Sequence, residues 1–89
     1  MEFDFDPNKS RMNREKHGLD FVEAQNLWLD DSRLVIPART DDEPRFAIIA
    51  RWGERIWTGI FTTRGQTIRL ISVRRARDEE KELYESATI

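Results

Sequence analysis

Apolar positions change their spacing several times along the chain, and each change predicts a change of element. Phe3 and Phe5 alternate with acids, the period-two pattern of a short half-buried strand. Asp6-Pro7 reads as a helix N-cap and first helical residue, and Gly18 as the residue just past the helix end, so a helix is predicted over 7–17. Met12 is the main apolar residue of that segment, and a helix so polar is rarely kept for its packing alone. Asp20 and Glu23 resemble a capping box that opens a second helix to about residue 29. Its Phe21, Ala24, Gln25 and Trp28 share one face, which should pack on a core.

Asp30-Asp31-Ser32 breaks the helical spacing, and Leu34-Val35-Ile36 before Pro37 predicts a short strand. Strand-length runs follow over 45–52, 55–63 and 67–74. Gly53 between the first two suits a two-residue type II′ hairpin, and Thr63-Arg64-Gly65-Gln66 marks a second hairpin. A last helix is predicted over 76–87, with Leu83, Tyr84 and Ala87 facing inward. The order β-α-α-β-β-β-β-α predicts one α+β domain spanning 1–89, a small antiparallel sheet with helices packed on one side.

Alternation across the two hairpins assigns faces. Phe46, Ile48, Ala50, Trp52, Trp57, Phe61, Ile68 and Leu70 fall on the face expected to meet the helices. Arg45, Arg51, Thr58, Thr62, Thr67, Arg69 and Arg75 fall on the other, with Ile49, Ile60, Ile71 and Val73 between them.

Charge sharpens this picture. The formal total is −2, yet residues 44–77 hold eight arginines against the single acid Glu54, a net of +7. Arginine presents a planar fork of donors that matches phosphate geometry. A threonine- and arginine-rich sheet face is therefore a candidate anion cradle, and a merely solvated face is the competing reading. Trp52 and Trp57 flank the first hairpin; exposed aromatics among arginines can stack bases, whereas Trp57 fits a core position.

The chain has no cysteine and one histidine, which rules out disulfides and histidine-rich metal sites. Adjacent acids at Asp30-Asp31 and Asp41-Asp42-Glu43 could hold Mg²⁺ or simply be solvated loop residues. No apolar run is long enough to span a bilayer, and the acidic N-terminus carries no signal-peptide pattern, so a cytoplasmic location is expected. His17 is the one side chain whose ordinary pKa lies near neutrality, as acid–base catalysis requires. A histidine in a last helical turn also interacts favourably with the helix dipole, and residue type does not decide between the two roles.

Several stretches taken together resemble the BrnT-type toxins of bacterial toxin–antitoxin pairs. They are Phe3-Asp4-Phe5-Asp6 with Lys9, Asn13-Arg14-Glu15-Lys16-His17-Gly18, Phe21 with Ala24, Thr63-Arg64, Arg69-Leu70-Ile71-Ser72-Val73-Arg74-Arg75-Ala76, and Glu80 with Tyr84. The resemblance implies a RelE-like α+β fold and a ribonuclease that needs no metal and arrests growth by cutting RNA. It also implies a ribbon-helix-helix antitoxin that caps the toxin and, through its own DNA-binding part, lets the complex repress the operon. On that reading His17, Arg64, Arg69 and Arg74 are the catalytic candidates, and Lys16, Arg51, Trp52, Thr62 and Arg75 the RNA-binding ones. His17 would move a proton while arginines hold the phosphate; the second proton would fall to water, a carboxylate or Lys16. The alternative is a non-catalytic module whose basic sheet docks an acidic protein segment or nucleic acid.

Overall fold

A computed structural model describes residues 1–39 and 42–87. Its elements are β1 (Glu2–Asp4), α1 (Pro7–His17), a 3₁₀ helix (Glu23–Leu29), β2 (Leu34–Ala38), β3 (Arg45–Trp52), β4 (Arg55–Arg64), β5 (Thr67–Arg75) and α2 (Asp78–Ala87). The expected order of helices and strands is matched in part, because the second predicted helix is a tight 3₁₀ segment. Asp20 still caps it, its carboxylate accepting from the Glu23 N–H at 2.8 Å. Both hairpins close through two-residue loops, with Gly53 and Gly65 at φ of 66° and 62°, where a side chain would be strained.

The five strands lie in the order β1-β5-β4-β3-β2. The sheet is mixed rather than antiparallel, because β1 runs parallel to β5. Helix α1 carries the chain between β1 and the rest of the sheet, and a parallel neighbour needs such a crossover. The helices also do not share one side. Leu27 and Trp28 of the 3₁₀ helix pack with Ile48, Ala50, Trp57, Phe61 and Leu70. Tyr84 of α2 packs with Ile49 and Ile56. Ile48 and Ile49 are adjacent in one strand and so point to opposite faces. Both faces of the central strands are thus covered, which is why Ala47 through Ala50 are all buried.

The predicted core face holds for Phe46, Ile48, Ala50, Trp57, Phe61, Ile68 and Leu70, while Trp52 is 40% exposed at the hairpin end. Trp28 is wedged edge-on between Phe3 and Phe61, with centroids 5.0 and 5.2 Å away. Such aromatic pairs contribute roughly 0.5–1.5 kcal/mol each beyond the area they bury. Val73 departs from its predicted face and is fully buried in this same core. The cause is a bulge. Leu70 faces Phe61 and Ser72 faces Ile60, so Ile71 is an extra residue and the alternation beyond it reverses.

Candidate active site

The last turn of α1 is held from several sides. The Asp6 carboxylate caps the first turn by accepting from the Asn8 N–H at 2.9 Å, and Gly18 ends the helix in the left-handed region at φ 86°. Strand β1 ends at Asp4, opposite Arg69, so β5 has no strand neighbour on that side further along. Asn13 fills the gap. Its amide donates to the Val73 carbonyl at 2.9 Å and to the Leu19 carbonyl at 2.7 Å, while its oxygen accepts from the Val73 N–H at 3.1 Å. One turn earlier, Ser10 Oγ accepts from the Phe21 N–H at 2.9 Å. These buried polar contacts explain a helix with almost no apolar face: side-chain hydrogen bonds, not hydrophobic burial, dock it.

Between α1 and the bulge lies a cleft of about 210 Å³, lined by Lys9, Met12, Lys16 and His17 from the helix and by Ile71 and Ser72 from the strand. The imidazole is half-buried and the two lysines are exposed. Two ammonium groups, an imidazole and a hydroxyl facing one hollow can bind an anion and transfer a proton to or from it. Of the expected residues, only Lys16 and His17 line this cleft. Residue type and spacing alone give Lys9, Asn13 and Ser72 no role in the site. The one signal for Asn13 was the polarity of its helix, and the bulge that places Ser72 has no mark in the spacing of residues.

The arginines are dispersed. Arg69 is half-buried and ion-paired with Asp4 across the β1–β5 pair. Arg64 is exposed, 3.9 Å from Glu43. Arg74 makes a two-pronged pair with Glu80 at 2.7 and 3.0 Å, and Glu80 also accepts from the Arg77 N–H at 2.8 Å. Burial opposes the charge on Glu80, but Arg74 and the Arg77 N–H outweigh it and hold the carboxyl at about 2; Arg74 is pushed upward by the same pair. The bulge turns Arg74 to the face of Thr58, its register partner, and so towards α2. Arg51 and Arg75 line a second cleft, and Arg51 and Trp52 a third, both beside the β3–β4 hairpin.

The open arginine–threonine face does not form. Thr58 and Thr62 are buried, at 0% and 2% exposure, and the Thr62 hydroxyl donates to the Pro44 carbonyl at 2.7 Å. Thr62 therefore has almost no surface to offer RNA.

Asp30 is equally committed. Its carboxylate accepts from the Ser32 N–H at 2.9 Å, the Arg51 N–H at 2.8 Å and the Tyr84 hydroxyl at 2.7 Å. Burial pushes its carboxyl up, but these donors and the Arg51 charge bring it below its ordinary value; burial and Asp30 raise the Tyr84 phenol. Asp41 lies outside the described residues. Among the described residues no cluster of three or more His, Asp or Glu is placed to hold a metal, and no helix is long and apolar enough to cross a membrane.

The chain matches a known family. The family model for the ribonuclease toxin, BrnT, of type II toxin–antitoxin systems matches residues 5–80 of the 89. That span contains α1, the whole β2–β5 sheet and the His17 cleft. No curated protein matches the chain.

Proposed function

Because this chain belongs to the BrnT family of ribonuclease toxins, we propose that it is a metal-independent endoribonuclease working in the cytoplasm, with its reaction centred on the His17 cleft. A cognate antitoxin follows from the family. We take that antitoxin to be a ribbon-helix-helix protein, through which the complex contacts operator DNA, and the toxin fold to be RelE-like.

In the proposed reaction the RNA 2′-hydroxyl attacks the adjacent phosphorus and the bond to the 5′-oxygen breaks. One proton must leave the attacking oxygen and another must reach the leaving one. His17 serves one of these transfers, and Lys16, water or a carboxylate the other. Lys9 and Lys16 offset the charge that builds on the phosphorane. Arg69 lies three residues before Ser72 on β5 and Arg64 ends the neighbouring strand; both are kept as phosphate contacts, Arg69 by exchanging Asp4 for phosphate. Arg74 contributes by holding α2 through Glu80.

The observation that carries this reading is the convergence of His17, Lys9 and Lys16 on one cleft, fixed there by Asn13. The test is turnover of a labelled RNA in EDTA. His17→Ala and Arg69→Ala are each expected to slow cleavage by on the order of 10²-fold or more with the fold intact. Near-normal rates in both variants would remove the site assignment, and loss of wild-type activity in EDTA would remove metal independence.

A further inference from the structure

Six of the eight arginines of residues 44–77 divide by what they face. Among the described residues, Arg64, Arg69 and Arg74 pair with Glu43, Asp4 and Glu80, and Arg51, Arg55 and Arg75 take no part in those pairs. These three converge instead on a cleft of about 240 Å³ between the β3–β4 hairpin and α2, joined there by Lys81. A second hollow of about 310 Å³ adjoins it at Arg51 and is bordered by Leu29 and Trp52. Leu29 is 76% exposed and Trp52 40%, so a hollow with more cations than acids runs into an apolar one.

The chemistry favours a protein occupant over RNA. Glu54 and Glu85 also line the cationic cleft. A lining of both signs suits a peptide of mixed charge better than a uniformly anionic phosphodiester chain. Leu29 offers nothing to a nucleotide but is an ordinary anchor for an aliphatic or aromatic side chain. Exposed tryptophan and arginine beside such an anchor are the residues enriched at protein interfaces. Asp30, at the junction, is already occupied by Tyr84 and backbone donors, and Arg51 stands over the Tyr84 ring, 6.0 Å from its centroid.

We propose that the joined hollows around Arg51 are a docking surface for the cognate antitoxin. They would take a segment whose carboxylates face Arg55, Arg75 and Lys81 and whose apolar side chain seats on Leu29 and Trp52. The proposal rests on family membership for the existence of the partner, and not on the assignment of His17. Opposite charge across such a surface speeds encounter and selects the partner, while the central apolar anchor slows dissociation.

The experiment titrates full-length cognate antitoxin into the purified toxin and follows binding by calorimetry at two salt concentrations. Arg55→Glu combined with Lys81→Glu, and separately Leu29→Ser, are each expected to weaken binding at least tenfold. RNA cleavage by the free variants should stay within twofold of wild type. Hydrogen exchange on the wild-type complex should show protection at residues 29 and 51–56, a readout that no variant's folding can affect. Unchanged affinity in both variants, or no protection at the hairpin, overturns the proposal. Cleavage that falls while antitoxin binding holds would give the surface to RNA and overturn it equally. Loss of the His17 assignment in the cleavage assay leaves these outcomes untouched.

Discussion

Asn13 and Val73 lie sixty residues apart, and the Asn13 side chain makes both hydrogen bonds that a neighbouring strand would have given the Val73 peptide, at 2.9 and 3.1 Å. The Asn13 amide thus acts as one rung of a missing strand and carries α1, with His17 at its end, onto the edge of the sheet. Asn13→Ala leaves the Val73 N–H and carbonyl and the Leu19 carbonyl without their partner. Each orphaned group costs about 1–3 kcal/mol, less where water can enter. A loss of ~3 kcal/mol in urea unfolding is expected, with a fall in RNA cleavage larger than the unfolded fraction explains. A loss below about 1 kcal/mol would show that the contact is not what docks the helix.

The Arg74–Glu80 pair makes stability depend on acid. The Glu80 carboxyl ordinarily titrates at 4.5 and is held at about 2 in the folded chain. A lowered folded value means stabilisation present in full above 4.5 and lost as pH falls from 4.5 towards 2. The shift corresponds to ~2–3 kcal/mol after allowance for partial exposure. Glu80→Gln should reduce stability at pH 7 and flatten the acid limb of a melting-temperature profile; an acid limb unchanged from wild type assigns the loss to other carboxylates.

Tyr84 ties α2 to the end of the 3₁₀ helix through Asp30 at 2.7 Å. Tyr84→Phe keeps the ring on Ile49 and Ile56 and removes only the hydroxyl. A hydrogen bond to a charged acceptor is worth about 1.5–3 kcal/mol. A destabilisation of that size is expected in denaturant melts of Tyr84→Phe. Asp30→Asn should cost more, because it also disturbs the Ser32 and Arg51 N–H contacts. The double variant should lose less than the two single losses added together, since one contact is shared.

Lys9 and Lys16 face the His17 cleft as point charges. Neutralising either should weaken single-stranded RNA binding similarly for all sequences. The slope of log affinity against log salt should become shallower by ~0.7 for each lysine that meets a phosphate. Filter binding of an uncleavable 2′-deoxy strand measures this, and an unchanged slope would take the lysines out of the RNA path.

Much of the fold can be read from local chemistry. Asp6-Pro7 and Gly18 set the ends of α1, and Gly53 and Gly65 set both hairpins, because capping and positive-φ turns depend on a few adjacent residues. The hairpins in turn determine which residues of β3 and β4 share a face. The net +7 of residues 44–77 and the oddly polar first helix are equally properties of the sequence. Other outcomes depend on residues far apart in the chain. The bulge at Ile71 reverses the strand beyond it, burying Val73 and turning Arg74 to Glu80. Helix α2 covers part of the face that alternation alone leaves open, through Tyr84 on Ile49 and Ile56. Which arginines remain available to a ligand follows from which carboxylates reach the others first. That is a matter of three-dimensional neighbours, and sequence spacing carries no record of it.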